Sequence, residues 1–481
     1  MGVGVSNWRL AQAVSRLGQL GVVSGTALDA VFVRRLADGD KCGHMRRGLD
    51  AFPFPEMARR IWNEYFVPGG KPAESPYPNL PMHQKRDPRR LVELCMISNF
   101  VEVFLAKEGH NNPVGINYLE KVQIPHLPSI YGAMLAGVGY VLMGAGIPLH
   151  IPGVLDAFAA QHPAEYKLMI TGAAQGEFAD VDTPMRLDPA EYAEGPLPEL
   201  RRPRFLAIVS SNTLAATMLR RASGTVNGLV IESPTAGGHN APPRGKLQLD
   251  AAGEPVYGIR DQVNIQELVT LGVPFWLAGG YGSPAKLREA LDQGAAGIQV
   301  GTAFAFSQES GLHPDLKNRL LRRAVAGSGE VFTDPLASPT GFPFKVAQLE
   351  GTSSDLQIYH QRTRVCDLGF LREPYFMPEG GIGYRCSAEP VANYVSKGGK
   401  VEETAGRKCL CNALLANIGY VQIRSNASEE PALVTVGDDL NTVAQFMAPG
   451  RESYSAADVV ERLLSMSANL EKASDAETTT A

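Results

Sequence analysis

The sequence has few cysteines, little excess of either charge and no long apolar run. Six cysteines in 481 residues are too sparse for a disulfide scaffold, so we expect a reducing, cytoplasmic setting. Lys+Arg 45 against Asp+Glu 50 leaves a net charge of −5, which argues against a nucleic-acid-binding protein. No apolar run approaches the roughly 18 residues of a membrane span, and residues 1–10 lack the features of a signal peptide. These absences leave a soluble globular protein, and no membrane association is expected.

The first 306 residues alternate between short apolar runs and amphipathic helical stretches. Strands that are apolar throughout are typical of parallel sheets covered on both faces. We predict an α/β fold with a parallel sheet, either doubly wound or closed as a barrel. Ser283 and Pro284 predict the start of one helix, and Gly294 its end. The predicted strands are Leu20–Ser24, Pro113–Asn117, Tyr140–Met143, Arg204–Ser210, Leu229–Glu232, Val273–Ala278 and Gly297–Val300.

Two insertions interrupt this alternation. Residues 34–90 contain four arginine pairs, which favour a solvated helical face over a docking patch. Residues 165–203 include the strand-like run KLMIT and are predicted to form a lid or surface flap. We divide the chain into a barrel domain at 1–348, a C-terminal extension of mixed or irregular structure at 349–470 and a disordered tail at 471–481. A last helix is predicted over Ala456–Met466.

Glycines follow two consecutive predicted strands. Gly279 and Gly280 end one strand, and Gln299-Val300-Gly301-Thr302 ends the next. In an eight-fold βα barrel, the loops after the last two strands commonly bind phosphate, and glycine lets backbone N–H groups approach its oxygens. The alternative is that these glycines only form tight turns.

His239 stands on a further glycine loop, directly after Gly237 and Gly238. A loop histidine on a rigid scaffold can act as a general acid or base, because its pKa lies near neutrality. The alternative is a structural histidine. Two glycines beside it would permit a ligand to approach the backbone, which favours the catalytic interpretation.

Four segments resemble the nitronate monooxygenase family, also called nitropropane dioxygenases. They are PTAGGHN at 234–240, WLAGGYGSPAKLREALDQGAAGIQVGTAF at 276–304, ESGLHPDLK at 309–317 and VFTDPLASPTGFP at 331–343. The resemblance runs from Met1 to about Gln348. It implies an FMN-dependent TIM (β/α)8 barrel. The insertion and the cysteine-bearing C-terminal region resemble a longer branch, the enoyl reductases associated with polyunsaturated-fatty-acid and polyketide synthases.

The resemblance also implies roles for individual residues. His239 would be the catalytic base, and Asn117 and Glu232 would lie near the flavin ring, although many family members have glutamine in place of Glu232. The remaining residues would contact the phosphate, the ribityl chain or the ring: Gly237, Gly238, Gly279, Gly280, Gln299, Val300, Gly301 and Thr302.

Three functions remain open at this point. The first is oxidation of alkyl nitronates by O2, with FMN as cofactor and a small molecule as substrate. The second is reduction of an enoyl thioester by NAD(P)H through FMN, in which the basic insertion would suit an acidic acyl-carrier protein. The third is a flavin-binding subunit without turnover.

Cys366, Cys386, Cys409 and Cys411 lie within 46 residues of one another along the chain. Four thiolates can hold zinc or an iron–sulfur cluster, and tetrahedral coordination requires all four sulfurs within about 4 Å of one another. The alternative is buried free thiols, because cysteine is among the most buried residue types.

The first strand of such a barrel has no counterpart in the sequence. The resemblance matches residues 1–6 to the turn after that strand, and Ser6 is expected to cap the first helix. We therefore expect a barrel that lacks its first strand, and a natural start some ten residues earlier. The alternative is that another segment, such as KLMIT, fills the gap.

Overall fold

The computed structural model describes residues 2–172, 184–424 and 428–465. Residues 456–465 are helical, whereas Met466 and the tail at 471–481 lie outside the described residues. None of the described helices is long and apolar enough to cross a membrane. The other α-helices are α1 Trp8–Arg16, α2 Leu28–Ala37, α3 His44–Asp50, α4 Pro55–Tyr65, α5 Arg89–Lys107, α6 His126–Leu135, α7 Ile151–Ala159, α8 Asn212–Arg221, α9 Ile265–Val269, α10 Pro284–Asp292, α11 Thr302–Ala305, α12 Pro314–Val325, α13 Leu356–Gln361, α14 Val391–Ser396 and α15 Leu410–Ala416.

The described strands form one seven-stranded parallel sheet and three small antiparallel sheets. The large sheet has the order β1-β2-β3-β6-β7-β9-β10, so all seven predicted strands are confirmed. The strands are β1 Gly21–Ser24, β2 Val114–Leu119, β3 Tyr140–Gly144, β4 Ala164–Tyr166, β5 Met185–Leu187, β6 Arg204–Val209, β7 Gly228–Glu232, β8 Gly238–His239, β9 Phe275–Ala278, β10 Gly297–Gln299, β11 Val331–Asp334, β12 Phe344–Ala347, β13 Glu373–Phe376 and β14 Ile382–Arg385.

The seven-stranded sheet is curled, as in a (β/α)8 barrel with one strand missing. Alternate residues of each strand face opposite sides of the sheet. Val141, Phe205 and Leu277 pack into the large core beneath the helices. Leu142 and Leu206 pack instead into a second cluster on the inner face of the sheet. Residues from all seven strands line one cavity on that inner face, which requires the sheet to curl around it.

Among the described residues, β1 and β10 are the two edges of this sheet. The space beside them is bordered by Leu10 and Val14 of α1 and by Leu463 of the helix at 456–465. The suggestion that KLMIT fills the gap is wrong. The local strand is β4, just before KLMIT; it pairs with β5, and Thr171 makes one isolated bridge to Tyr375.

Two predicted helix starts had different outcomes. Ser283 caps α10 as predicted, because its side chain accepts a hydrogen bond from the Lys286 N–H. Ser6 does not cap α1. Asn7 does so instead, and its side chain accepts from the N–H groups of Arg9 and Leu10. The Ser6 hydroxyl donates to the Val22 carbonyl over 2.6 Å and so ties the N-terminal turn to β1.

The arginines of the insertion at 34–90 are engaged within the chain. Arg47, for example, donates to the Glu108 carboxylate over 2.6 and 2.7 Å. The later three arginine pairs are exposed, as expected for a solvated face, whereas Arg34 and Arg35 are largely buried and do not fit it. The pairing leaves few free guanidinium groups for an acidic partner. The arginines and their partners are Arg34 with the Tyr420 carbonyl, Arg35 with Glu102, Arg46 with Asp50, Arg47 with Glu108, Arg59 with Glu56, Arg60 and Arg89 with Glu93, and Arg90 with Glu64.

The C-terminal region packs against the carboxyl end of the barrel. Strand β12 pairs antiparallel with both β11 and β8, and thereby joins residues 344–347 to the loop that carries His239. The Thr435 hydroxyl accepts from the Gly238 N–H over 2.7 Å and donates to the Lys345 carbonyl over 2.6 Å. The division of the chain at residue 348 stays a prediction.

Candidate functional site

A cavity of about 520 Å³ opens at the carboxyl ends of the parallel strands. It is lined by all ten residues that the sequence predicts to bind a cofactor: Asn117, Glu232, Gly237, Gly238, Gly279, Gly280, Gln299, Val300, Gly301 and Thr302. Strand register explains part of this convergence. Ala278 pairs with both Glu232 and Gln299, so three strands end at one level of the sheet.

One end of the cavity presents backbone donors. The N–H groups of Gly280 and Gly301 donate to no other described residue. Gly279 and Gly280 have φ of +91° and +71°, a region that favours glycine, so the turn after β9 depends on both. Among the described residues lining the cavity there is no lysine, arginine or histidine. An anion bound here would therefore depend on backbone N–H groups.

Asp439 is an acidic group at the same end. Its carboxyl lines the cavity beside Gly282 and Gly437. Burial raises the pKa of Asp439, while a hydrogen bond with the Thr302 hydroxyl acts in the opposite direction. The raised pKa reduces the repulsion that a fully ionised carboxylate would exert on a bound phosphate.

Two polar side chains from other strand ends also line the cavity. The Asn117 amide oxygen is buried and has no hydrogen-bond partner among the described residues, so it is available to a ligand. Glu232, the last residue of β7, also lines the cavity, and burial raises its pKa to about 7. A carboxyl group with that pKa can gain or lose a proton near neutral pH.

His239 is placed differently from the other predicted site residues. Its side chain is not among the described groups lining the cavity. The ring packs edge-on against Phe344 at 4.8 Å between centroids, and Nε2 lies 2.7 Å from the Ser338 hydroxyl. Burial lowers the pKa of His239 to about 3, so the imidazole is neutral at pH 7. Its catalytic role stays a prediction.

One wall of the cavity comes from the C-terminal region and was not predicted from the sequence. Val434, Thr435, Val436 and Gly437 all line the cavity. A Cβ on Gly237 would lie 2.6 Å from the Val436 carbonyl carbon, so the glycine loop and this segment approach at backbone contact distance. The apolar alternation of LVTVG was visible in the sequence, but its position beside Gly237 was not.

The four clustered cysteines all line one small cavity of about 10 Å³. No three of their sulfurs lie within 4.8 Å of one another, whereas a metal site requires about 4 Å. This spacing favours the alternative of buried free thiols, and the metal site at these cysteines stays a prediction. Burial raises the pKa of Cys366 to about 11 and that of Cys409 to about 12, so both are protonated near neutral pH.

A family model described as "Nitronate monooxygenase" matches residues 195–331 of the chain. This segment supplies β6, β7, β9 and β10 and the three glycine loops of the cavity. A curated relative, "Probable nitronate monooxygenase" from Bacillus subtilis (strain 168), is 31% identical over 128 residues. That match covers 27% of this chain and 35% of the relative, so the chain spans about a third of the relative's length.

Several solved structures are similar over most of the chain, with TM-scores below 0.5. FabK from Thermotoga maritima has 15% identity and a TM-score of 0.47, with 98% of this chain and 92% of that chain covered. Nitroalkane oxidase from Streptomyces ansochromogenes has 13% identity and a TM-score of 0.45, with 98% and 95% covered. The enoyl reductase domain of MlnA from Bacillus amyloliquefaciens has 13% identity and a TM-score of 0.44, with 99% and 94% covered.

Proposed function

Because the nitronate monooxygenase family model matches residues 195–331, we propose that the chain is an FMN-dependent oxidoreductase acting on alkyl nitronates with O2. One observation carries the proposal. The ten residues that the family resemblance assigns to the cofactor all line one cavity of about 520 Å³. Six of them belong to the two strand-end segments suited to a phosphate: Gly279, Gly280, Gln299, Val300, Gly301 and Thr302.

The residues present fit FMN. The unpaired N–H groups of Gly280 and Gly301 would hold the phosphate, and Gly237 and Gly238 leave room along the backbone for the ribityl chain. The unpartnered Asn117 amide oxygen would accept a hydrogen bond from the flavin ring. Bound FMN would supply electron transfer between the substrate and O2.

The state of His239 favours a nitronate, which has already lost its proton, over a neutral nitroalkane. A neutral nitroalkane needs a base to remove its α-proton, and a group with a pKa of about 3 is a weak base at neutral pH. His239 as that base stays a prediction. Glu232, with a pKa of about 7 and a place in the cavity wall, is the second candidate for proton transfer.

The test compares two assays on the purified full chain. We expect bound flavin in the absorbance spectrum and O2 consumption with an alkyl nitronate that exceeds consumption with the parent nitroalkane. His239→Ala and Glu232→Gln, each assayed with both substrates, identify the base, because removing a general base costs about 10²–10⁴-fold. Absence of flavin, or flavin without any O2 consumption, would overturn the proposal.

Enoyl reduction is the second candidate, favoured by the apolar far wall of the cavity. Leu10, Val14, Leu463 and Leu464 form part of this wall, which would accept an acyl chain. If the protein oxidises NAD(P)H in the presence of an enoyl thioester and consumes no O2 with a nitronate, its activity is enoyl reduction. An acyl-carrier protein would then be the natural donor of the thioester. Flavin binding with neither activity would indicate the non-catalytic subunit.

A further inference from the structure

A second polar cluster lies outside the cavity, where the insertion joins the barrel. Asp29 of α2, His83 of the loop before α5, and Cys95 of α5 bring one ligand atom each within 4.8 Å of one another. All three side chains are buried. Among the described residues this is the one group of three or more histidine, cysteine or acidic side chains with such spacing.

The spacing of the three ligand atoms is close to that of a tetrahedral metal site. His83 Nε2 lies 3.0 Å from Asp29 Oδ2, and Cys95 Sγ lies 3.9 Å from Nε2 and 4.0 Å from Oδ2. Bonds of about 2.0–2.3 Å at tetrahedral angles place such atoms about 3.3–3.6 Å apart. Each observed distance is therefore within about 0.5 Å of that value, a shift that small side-chain rotations supply.

The second ring nitrogen of His83 supports a metal ligand. Nδ1 lies 2.6 Å from the Asp87 carboxylate, and the other Asp87 oxygen accepts from the Gln84 N–H over 2.7 Å. A histidine that ligates a metal almost always donates its other N–H to a carboxylate or carbonyl, which fixes the ring and its tautomer. Asp87 thus points Nε2 at Asp29 and Cys95.

Space for a fourth ligand lies beside the cluster. Asp29 and Cys95 line a cavity of about 20 Å³ between α2, α5 and β2. A volume of about 10–15 Å³ holds one water molecule. The cavity is too small for an organic substrate, and Cys95 is 1% exposed, so a nucleophilic role for this thiol has no access route.

We propose that Asp29, His83 and Cys95 bind one zinc ion, with a water molecule in the fourth position and Asp87 as a positioning residue. Thiolate, imidazole and carboxylate are the ligand types that zinc takes in proteins. Binding forms Zn–S, Zn–N and Zn–O bonds and breaks the hydrogen bond between His83 Nε2 and Asp29. The Cys95 thiol proton and the His83 Nε2 proton are released to solvent, without any change in oxidation state. The ion would connect the loop at 66–88 to α2 and α5, and so attach the insertion to the barrel.

The test is zinc titration of the full-length protein after treatment with a chelator, with metal per chain measured after gel filtration. We expect about one zinc ion per chain in the wild type. In Cys95→Ala and in His83→Gln we expect almost no bound zinc. Cys42→Ala removes an exposed thiol and Cys409→Ala one of the four clustered thiols, so both should keep the metal. Asp87→Asn should weaken zinc affinity by about 10–100-fold.

Cobalt binding to the wild type provides a readout that needs no variant to fold. We expect tetrahedral cobalt absorption with the charge-transfer intensity of a single thiolate. Absence of bound zinc, retention of it by Cys95→Ala, or a four-thiolate spectrum that disappears in Cys409→Ala would overturn the proposal. If no zinc binds, His83 is instead the centre of an ion triad with Asp29 and Asp87.

Discussion

The barrel cavity and the cluster of Asp29, His83 and Cys95 obtain their polar groups in opposite ways. In the cavity, glycine N–H groups and the Asn117 amide oxygen point into open space without partners. In the cluster, the side chains lie within 4.8 Å of one another and there is room for little more than one water. The cavity suits a ligand whose anionic group is bound by backbone N–H groups. The cluster suits a metal ion or an internal ion pair.

Because of this difference, separate substitutions test the cavity and the cluster. A glycine substitution alters the shape of the cavity and leaves the cluster intact. Removal of a charged side chain leaves its buried partners uncompensated in the cluster and leaves the cavity unchanged. The four predictions below exploit this separation.

The largest effect is expected at the cluster. His83→Ala leaves the Asp29 and Asp87 carboxylates buried without the imidazole that both contact. Removing one partner of a buried ionic group typically costs about 3–5 kcal/mol. Urea unfolding at pH 7 measures this cost. Loss of under about 1 kcal/mol, or a matching loss of flavin from the folded protein, would contradict the separation of the two regions.

Gly237→Ala should affect the cavity. The added Cβ would lie 2.6 Å from the Val436 carbonyl carbon, so the glycine loop and the C-terminal segment must move apart. Overpacking of this kind costs about 1–3 kcal/mol. Where this cost falls on the conformation that binds FMN, it lowers FMN affinity by about 5–150-fold. Flavin titration is the measurement, and Gly258→Ala, where a Cβ meets nothing within 4 Å, is the matched control. Zinc content should stay the same in both variants.

Glu232→Gln should stabilise the protein, with a pH dependence that identifies the cause. The folded-state pKa of about 7 exceeds the ordinary value of 4.5, so the wild type loses stability as pH rises between these values. The variant lacks this loss. After a discount for solvent in the cavity, we expect a gain of about 1–2 kcal/mol at pH 8 and none at pH 4. Equal gains at both pH values would show that ionisation of Glu232 is not responsible.

The smallest effect is expected on the surface of the same insertion that carries His83. Arg59 pairs with Glu56, and their side chains are 63% and 56% exposed. Exposed pairs contribute little, so Arg59→Ala should change the free energy of unfolding by less than about 0.5 kcal/mol. Thermal unfolding at two salt concentrations measures it. If Arg59→Ala lowered the free energy of unfolding about as much as His83→Ala, the expected difference between buried and exposed charges would be wrong.

Much of the fold could be predicted from the sequence, because short apolar runs have a local signature. All seven parallel strands were identified, and Ser283 was correctly placed at the start of α10. The predictions were wrong where contacts with residues distant in the sequence determine the local structure. KLMIT has the composition of a strand, yet the pairing with β5 occurs just before it. Serine is a residue type that commonly caps helices, yet the Ser6 hydroxyl donates to the Val22 carbonyl.

The candidate site shows the same division. Ten residues chosen by resemblance meet in one cavity, because strand ends of a parallel sheet lie at one edge. His239 was chosen on the same grounds, but β8 pairs with β12, and the imidazole packs against Phe344 instead of lining the cavity. The side on which a loop residue points depends on pairing with a strand about 100 residues later, which no local pattern encodes.

The sequence by itself determined the strands, the helix between Ser283 and Gly294, and the glycine loops that end β9 and β10, since propensity and periodicity act over a few residues. Only the tertiary structure decided which cysteines meet other ligands. Four cysteines close together along the chain keep their sulfurs apart, whereas Asp29, His83 and Cys95, which come from three separate elements, converge. Proximity in sequence does not fix the directions of side chains, and the packing of α2 against α5 does.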